Sequence, residues 1–240
     1  LGELRKSIQY TVFAAAGAEN NNVLSGVYFK LSSTELEMAA TDGSRLARSK
    51  RVIEASSVTE PVSAIIPAKT LQEFLRLSQG DASGVVTLSI KDGQIAFRTA
   101  QFYILSRLLD GQYPQYEQLI PADYKDVVFA NRDALIKSLE RTAVMANERT
   151  NIVKMHFENG HLSMAAQTPD LGDSRDSMMV AYDGDELDIA FNYKFVLDAV
   201  RVIDTDEVRL ELKSGLAPTL FKSAQDEAQY LCLVMPVQVK

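Results

Sequence analysis

Two histidines, one cysteine and a short run of aspartates are the residues of this chain whose types could do chemistry. His156 and His161 flank Asn159-Gly160, a hairpin-turn dipeptide. His156 falls on the face opposite Met155 and Phe157, so both histidines read as surface or sheet-edge residues. Asp170, Asp173 and Asp176 do not follow the alternate-position pattern of a calcium loop, and Leu171-Gly172 and Ser174-Arg175 between them read as a solvated turn. Cys232 sits in the alternating run Tyr230-Leu231-Cys232-Leu233-Val234, so a core thiol is expected rather than a nucleophile. Neither G-x-x-x-x-G-K-[ST] nor G-x-G-x-x-G occurs, which argues against nucleotide hydrolysis. One Cys with two His leaves no zinc set of the usual kind. Nothing assembles a base, a nucleophile and an orienting group, so the expectation is a protein that is not an enzyme and uses neither cofactor nor metal.

Two segments stand above this background. Thr41-Asp42-Gly43-Ser44-Arg45-Leu46-Ala47 is a tight Asp-Gly turn between two strands with an Arg at its exit, and its simplest reading is a plain hairpin. The chain end, Val234-Met235-Pro236-Val237-Gln238-Val239-Lys240, is a strand whose interior Pro cannot donate to a ladder, so the tail must leave the sheet or run along an edge.

The elements that must position these segments come as a repeat. Leu4, Lys6, Ser7 and Ile8 align with Leu135, Lys137, Ser138 and Leu139; LEMAAT at 36–41 aligns with LSMAAQ at 162–167; Lys69 and Arg76 align with Lys194 and Arg201; VTLSIKDG at 86–93 aligns with VRLELKSG at 208–215. Each half reads as a helix (Leu4 to Ala16; Asp133 to Ala146, with Asn131 as cap), then strands (Val23 to Lys30 and Glu35 to Thr41; Ile152 to Phe157 and His161 to Gln167), a shorter helix (Lys69 to Gln79; Asn192 to Val202), and closing strands. In the first half those closing strands are Val85 to Lys91, Gln94 to Ala100 and Phe102 to Leu109. This predicts an α+β fold: two tandem repeats, each with two helices packed on antiparallel sheets. The domains are expected at 1–124 and 125–240, joined through the Pro-containing segment Gly111 to Lys125. The second repeat opens with an apolar stretch, Val127 to Ala130, whose counterpart would precede Leu1, so a longer chain is expected.

The chain has 240 residues and a formal charge of −7, which argues against a protein that grips nucleic acid through a basic patch. A single cysteine, Cys232, leaves no internal disulfide framework, so a reduced, cytoplasmic protein is expected; no apolar run approaches the roughly 18 residues of a spanning helix, and no signal-peptide pattern opens the chain.

With Ser106-Arg107-Leu108-Leu109-Asp110-Gly111-Gln112-Tyr113-Pro114-Gln115-Tyr116 added to the turn and the tail, the sequence resembles the bacterial DNA sliding clamps, the beta subunits of replicative DNA polymerase III. The A-T-D-G-x-R-L-A turn, the L-D-G-x-[FY]-P-x-Y connector and the V-M-P tail occur in order, and the resemblance runs from the first helix of the family's middle domain to its C-terminus, the family's N-terminal domain being absent. It implies a DNA-clamp fold in which two three-domain chains close head to tail around duplex DNA, with helices lining the hole. It implies a processivity factor that tethers the polymerase catalytic subunit, the clamp loader and repair polymerases through a Gln/Leu/Phe-type peptide. Carried over by position, the peptide-binding residues would be Thr41, Gly43, Arg45, Leu46, Pro114, Leu119, Asn192, Phe195, Leu216, Pro218, Val234, Met235, Pro236 and Val237, in a pocket between the family's middle and C-terminal domains. The DNA-facing residues would be Arg5, Lys6, Lys69, Arg76, Lys137, Arg141, Lys194 and Arg201. Ser44, Gln118, Gln238 and the extra Lys240 depart from better-known members. A homodimer is implied at full length and a monomer for this chain, with no membrane partner.

Charge placement gives a separate reading: each predicted helix carries +1 and the rest of the chain −11, which suits a ring that surrounds DNA without gripping it. The alternatives are a clamp-like interaction module that never encircles DNA, and a hydrolase on a duplicated α+β scaffold.

Overall fold

The structure is a computed structural model that describes residues 1–17, 19, 22–53, 58–80, 84–169, 172–225 and 229–238. The chain divides into two compact units, Leu1–Glu117 with Ala228–Tyr230, and Gln118–Glu227 with Leu231–Lys240.

The first unit opens with α1 (Gly2–Gln9), whose Leu4 and Ile8 are buried. The helix ends well before Ala16, where the apolar stripe alone placed its end. The Thr11 hydroxyl donates back to the Ser7 carbonyl at 2.7 Å, and the chain tightens into a 3₁₀ turn over Val12–Ala14. Such back-bonding by a β-branched residue competes with helical propagation. Four antiparallel strands follow, β1 (Gly26–Leu31), β2 (Glu35–Thr41), β3 (Arg45–Val52) and β4 (Val62–Pro67), in the order β4-β1-β2-β3. After α2 (Ala68–Leu77) come β5 (Thr87–Lys91), β6 (Gln94–Arg98) and β7 (Tyr103–Arg107), an antiparallel sheet of their own. Asp92 and Gly93 both have positive φ (53° and 70°), the two-residue turn whose twist matches a hairpin and which Asp-Gly favours. Phe74 of α2 packs on Phe97 of β6, ring centroids 5.1 Å apart, at the centre of this half's core.

The second unit repeats the order and adds a strand in front: β8 (Asp126–Asn131), α3 (Arg132–Ala143), β9 (Ile152–Glu158), β10 (His161–Thr168), β11 (Gly172–Met179), β12 (Leu187–Asn192), α4 (Tyr193–Arg201), β13 (Glu207–Leu212), β14 (Thr219–Ser223) and β15 (Tyr230–Val234). Its sheets run β11-β10-β9-β12 and β8-β13-β14-β15, all antiparallel. Asn131 caps α3 as expected, its side chain accepting from the Ala134 N–H at 2.9 Å, and Asn192 caps α4 in the same way through Lys194 N–H at 3.1 Å. Thr142 back-bonds to Ser138 at 2.9 Å, the counterpart of Thr11 and Ser7. Cys232 is fully buried in β15. Among the described residues no helix is long and apolar enough to cross a membrane.

Candidate functional site

The Asp-Gly turn of the first unit is more than a plain hairpin. Gly43 has φ +90°, and a Cβ there would meet no other atom, so backbone conformation alone requires the glycine. Asp42 Oδ1 accepts from the backbone N–H of Ser44 (2.9 Å) and Arg45 (3.1 Å), while Asp42 Oδ2 takes Arg45 Nε at 3.0 Å. The same guanidinium donates from Nη2 to the Phe13 carbonyl at 2.7 Å, so the Arg ties the turn to the 3₁₀ segment behind α1. Thr41 Oγ1 donates to the Arg45 carbonyl (2.6 Å) and accepts from Gly43 N–H (3.1 Å).

Tyr113, from the L-D-G-x-[FY]-P-x-Y connector and outside the expected peptide-binding set, completes the arrangement. Its hydroxyl accepts from the buried Thr41 N–H at 3.1 Å, and its ring packs with Tyr28 and Tyr116. Burial pushes the Tyr113 phenol up to about 12; the Thr41 N–H opposes this and the Asp42 carboxylate adds to it. Tyr116 donates to Glu37 Oε1 at 2.9 Å, and Lys50 Nζ reaches the same carboxylate at 3.4 Å. Burial, and then Glu37, raise the Tyr116 phenol well above its ordinary value. The Tyr-Pro-x-Tyr spacing was the available signal, since it brings two phenols over one sheet face. Of the predicted residues in this unit, Pro114 is exposed, whereas Leu46 is 1% exposed and serves the core.

The second unit holds a groove of about 630 Å³ lined by Asp188, Ile189, Ala190, Gly215, Leu216, Val237, Gln238 and Lys154. Two observations explain it. After Pro236 the tail leaves β15, and Val237 N–H donates to the Ala190 carbonyl of edge strand β12 at 2.7 Å. Opposite, Gly215 lets the loop between β13 and β14 approach so closely that a Cβ there would stand 2.4 Å from the Asp188 carbonyl oxygen. Leu216 is 68% exposed beside it. The groove therefore brings Leu216 and Val237 together from the predicted set and adds Asp188, Ile189, Ala190 and Lys154, which the sequence reading missed. Only the Gly in the repeated K-D-G/K-S-G run signalled the close approach. The remaining predicted residues of this unit lie outside that lining. Asn192 uses its side chain as a cap, Val234 is fully buried, Met235 is 41% and Leu119 55% exposed, and Phe195, Pro218 and Pro236 are half-buried. Beside the groove His156 Nδ1 lies 2.9 Å from Asp188 Oδ1 on the solvent side of its sheet.

The helices carry the other candidate surface. Each of the four has one more Lys or Arg than Asp or Glu, Glu3 standing against Arg5 and Lys6 on α1, for example. The cations divide by type. Arg5 Nη1 donates to the Leu75 carbonyl at 3.1 Å and to Ser78 Oγ, closing the C-terminal end of α2, and Arg132 Nη2 does the same for α4 through the Arg201 carbonyl at 3.1 Å. Arg76 is paired with Glu73, Arg141 with Asp176 at 2.6 Å, and Arg201 with Glu140 at 2.5 Å. The Arg76 hydrogen bond holds the Glu73 carboxyl below its usual range. For Asp176, burial pushes upward but the bonds from Arg141, Ser177 N–H and Ser138 outweigh it. Lys69, Lys137 and Lys194 are exposed and have no carboxylate partner among the described residues; Lys194 lies over the Tyr193 ring at 5.9 Å, and Lys6 over the Tyr10 ring at 4.9 Å. The eight cations expected on one surface thus differ in their contacts: Arg76, Arg141 and Arg201 are exposed but paired with carboxylates, Arg5 closes a helix end, and Lys69, Lys137 and Lys194 face outward without a carboxylate among the described residues. Of the three aspartates weighed as a metal set, Asp170 lies outside the described residues, Asp173 is 3.5 Å from Arg175, and Asp176 belongs to Arg141.

Two family models match the chain in tandem: DNA polymerase III beta subunit, central domain, over residues 2–115, and DNA polymerase III beta subunit, C-terminal domain, over residues 117–238. The beta sliding clamp of Synechococcus elongatus is 32% identical over 240 residues, covering 99% of this chain and 64% of that protein. That of Bacillus subtilis is 30% identical, covering 98% and 62%. Among solved structures, the Pseudomonas aeruginosa sliding clamp bound to griselimycin matches with a TM-score of 0.93 at 29% identity, over 99% of this chain and 64% of that one. The Bacillus subtilis clamp matches with a TM-score of 0.92 at 30% identity. The chain spans less than two thirds of the length of these relatives.

Proposed function

The chain belongs to the DNA polymerase III beta subunit family, the sliding clamps, and from that premise we propose that it serves as a DNA polymerase processivity factor in the bacterial cytosol. In a full-length dimeric ring its helices face the encircled duplex, in contact with phosphates and without regard to sequence. Polymerase catalytic subunit, clamp loader and repair polymerases are tethered by a Gln/Leu/Phe-type linear peptide, for which the second unit's Leu216–Val237 groove supplies an apolar seat.

The observation that carries the duplex reading is the division of cations on the helices. A ring that slides must attract phosphates weakly and release them readily. An exposed lysine is a point charge on a flexible stem, whereas arginine forks bind phosphate bidentately. Here the arginines Arg76, Arg141 and Arg201 are engaged by carboxylates, and Lys69, Lys137 and Lys194 remain to meet the backbone.

The test is the salt dependence of binding to a short duplex. Replacing Lys69, Lys137 and Lys194 together by Gln is expected to reduce the slope of log K against log salt by about 2.7, at about 0.9 for each phosphate no longer neutralised. Replacing Arg76, Arg141 and Arg201 by Gln is expected to leave the slope in place and to change the unfolding temperature little, because these exposed pairs contribute little to stability. Equal reductions of slope in the two variants contradict the assignment of phosphate-binding residues, and a full-length ring retained no longer on circular than on linear duplex contradicts the duplex reading itself.

A further inference from the structure

Strands β5, β6 and β7 contain three basic residues and no acidic one, in a chain whose net charge is −7. Their register fixes where the side chains stand. Thr87, Arg98 and Tyr103 form one cross-strand row, Ser89, Ala96 and Leu105 the next, and Lys91, Gln94 and Arg107 the third. The alternate positions point the other way, where Ile95 and Phe97 are fully buried. On the open face Tyr103 and Leu105 are each 55% exposed, and the Arg98 guanidinium lies 5.5 Å from the Tyr103 ring centroid. Lys91, Arg98 and Arg107 make no ion pair among the described residues, although arginines elsewhere, Arg76, Arg141 and Arg201 among them, are paired.

We propose that this face of the first unit docks a linear acidic peptide in which two carboxylates flank an apolar side chain at alternate positions, [Asp/Glu]-x-apolar-x-[Asp/Glu]. The first and third rows are four residues apart along a strand, about 13 Å at about 3.3 Å per residue. An extended peptide has the same rise, and its residues i, i+2 and i+4 project to one side. One carboxylate then meets Arg98 and the other meets Lys91 and Arg107, while the apolar residue between them settles on Ala96, Leu105 and the Tyr103 ring. Arginine suits the role because its planar fork takes a carboxylate through two hydrogen bonds. A single strand of nucleic acid fits less well, since one aromatic ring gives one stacking platform where such sites use several. This inference stands apart from the duplex and groove readings above.

The test uses the 240-residue chain and a fluorescein-labelled Gly-Asp-Ser-Leu-Ser-Asp-Gly peptide, followed by anisotropy at low salt. Replacing Lys91, Arg98 and Arg107 together by Gln is expected to weaken binding about tenfold, the sum of three exposed ion pairs. Leu105→Ser is expected to weaken it several-fold, and both variants to keep the parent's unfolding temperature because the altered side chains face solvent. A peptide of the same composition with its two aspartates adjacent is expected to bind several-fold less tightly. The proposal is overturned if the parent chain does not bind the peptide, if the triple variant or the rearranged peptide binds as well, or if oligo(dT) of matched charge displaces the peptide and binds more tightly.

Discussion

Raising the pH above 9 tests whether the Tyr113 hydroxyl anchors the Thr41–Arg45 turn. The Tyr113 side chain is 7% exposed, and burial lifts its phenol from an ordinary 10.0 to about 12. The folded state therefore holds this proton more tightly than the unfolded chain does. Its contribution to stability is complete below pH 10, declines as pH rises, and is lost by the time pH has passed through 12. Linkage between those two values gives a loss of about 1 kcal/mol at pH 11 and about 2 to 3 kcal/mol above pH 12. Tyr113→Phe keeps the ring and removes the titrating oxygen, leaving the Thr41 N–H without its acceptor. At pH 8 the variant should be less stable by about 1 to 3 kcal/mol. By pH 11 the gap between the two proteins should shrink by about 1 kcal/mol, because only the parent still carries the Tyr113 titration. Urea unfolding followed by far-ultraviolet circular dichroism, at pH 8 and at pH 11, measures the gap. Tyr116 and Tyr124 also have raised phenols, but they weaken both proteins alike and cancel in the difference. A gap that stays constant or widens between the two pH values would refute the reasoning.

Asn192→Ala should lower stability by about 1 kcal/mol through the lost cap of α4, read as a drop of several degrees in the unfolding temperature. A labelled Gln-Leu-Ser-Leu-Phe peptide should bind the chain in the micromolar range and lose most of that affinity when residues 237–240 are removed; unchanged affinity in an anisotropy titration would remove the groove from consideration. Truncation must begin beyond Val234, which is fully buried and whose loss would damage β15 itself. Light scattering of the 240-residue chain should report a monomer, and a stable closed ring would contradict that expectation.

The repeat made the element order legible before any coordinate, because two copies of one pattern constrain each other. Glu35 to Thr41 is a strand with those same ends, and Asn131 caps the helix it was expected to cap. The end of α1 was misplaced for a local reason, since the apolar stripe through Val12 and Ala15 continues while the Thr11 hydroxyl has already turned the backbone aside. Helical spacing makes the Arg76–Glu73 pair legible, but the engagement of Arg5 and Arg141 was illegible for the opposite reason. Arg5 finds its acceptor on Leu75 and Arg141 its carboxylate on Asp176, partners 70 and 35 residues away, and no helical spacing encodes them. Counting charge by helix correctly gave +1 for each, yet it could not say which cations were already engaged. The groove was half legible. Pro236 announced that the tail must leave its sheet, but the Ala190 carbonyl that receives it belongs to an edge strand with no distinguishing side chain.

That tail has a mechanical consequence. Leu231 to Val234 belong to one sheet of the second unit, and three residues later Val237 is bonded to the edge of the other, so the segment acts as a clasp across the two layers. Prising the layers apart must first release it. Anything that pins Val237 in place, a seated peptide included, therefore also resists opening of the second unit, by an amount set by occupancy as RT ln(1 + [L]/Kd). Ligand binding at this end becomes measurable as selective protection of one half of the chain, with the β12 and β15 amides slowing in hydrogen exchange while those of the first unit keep their rates.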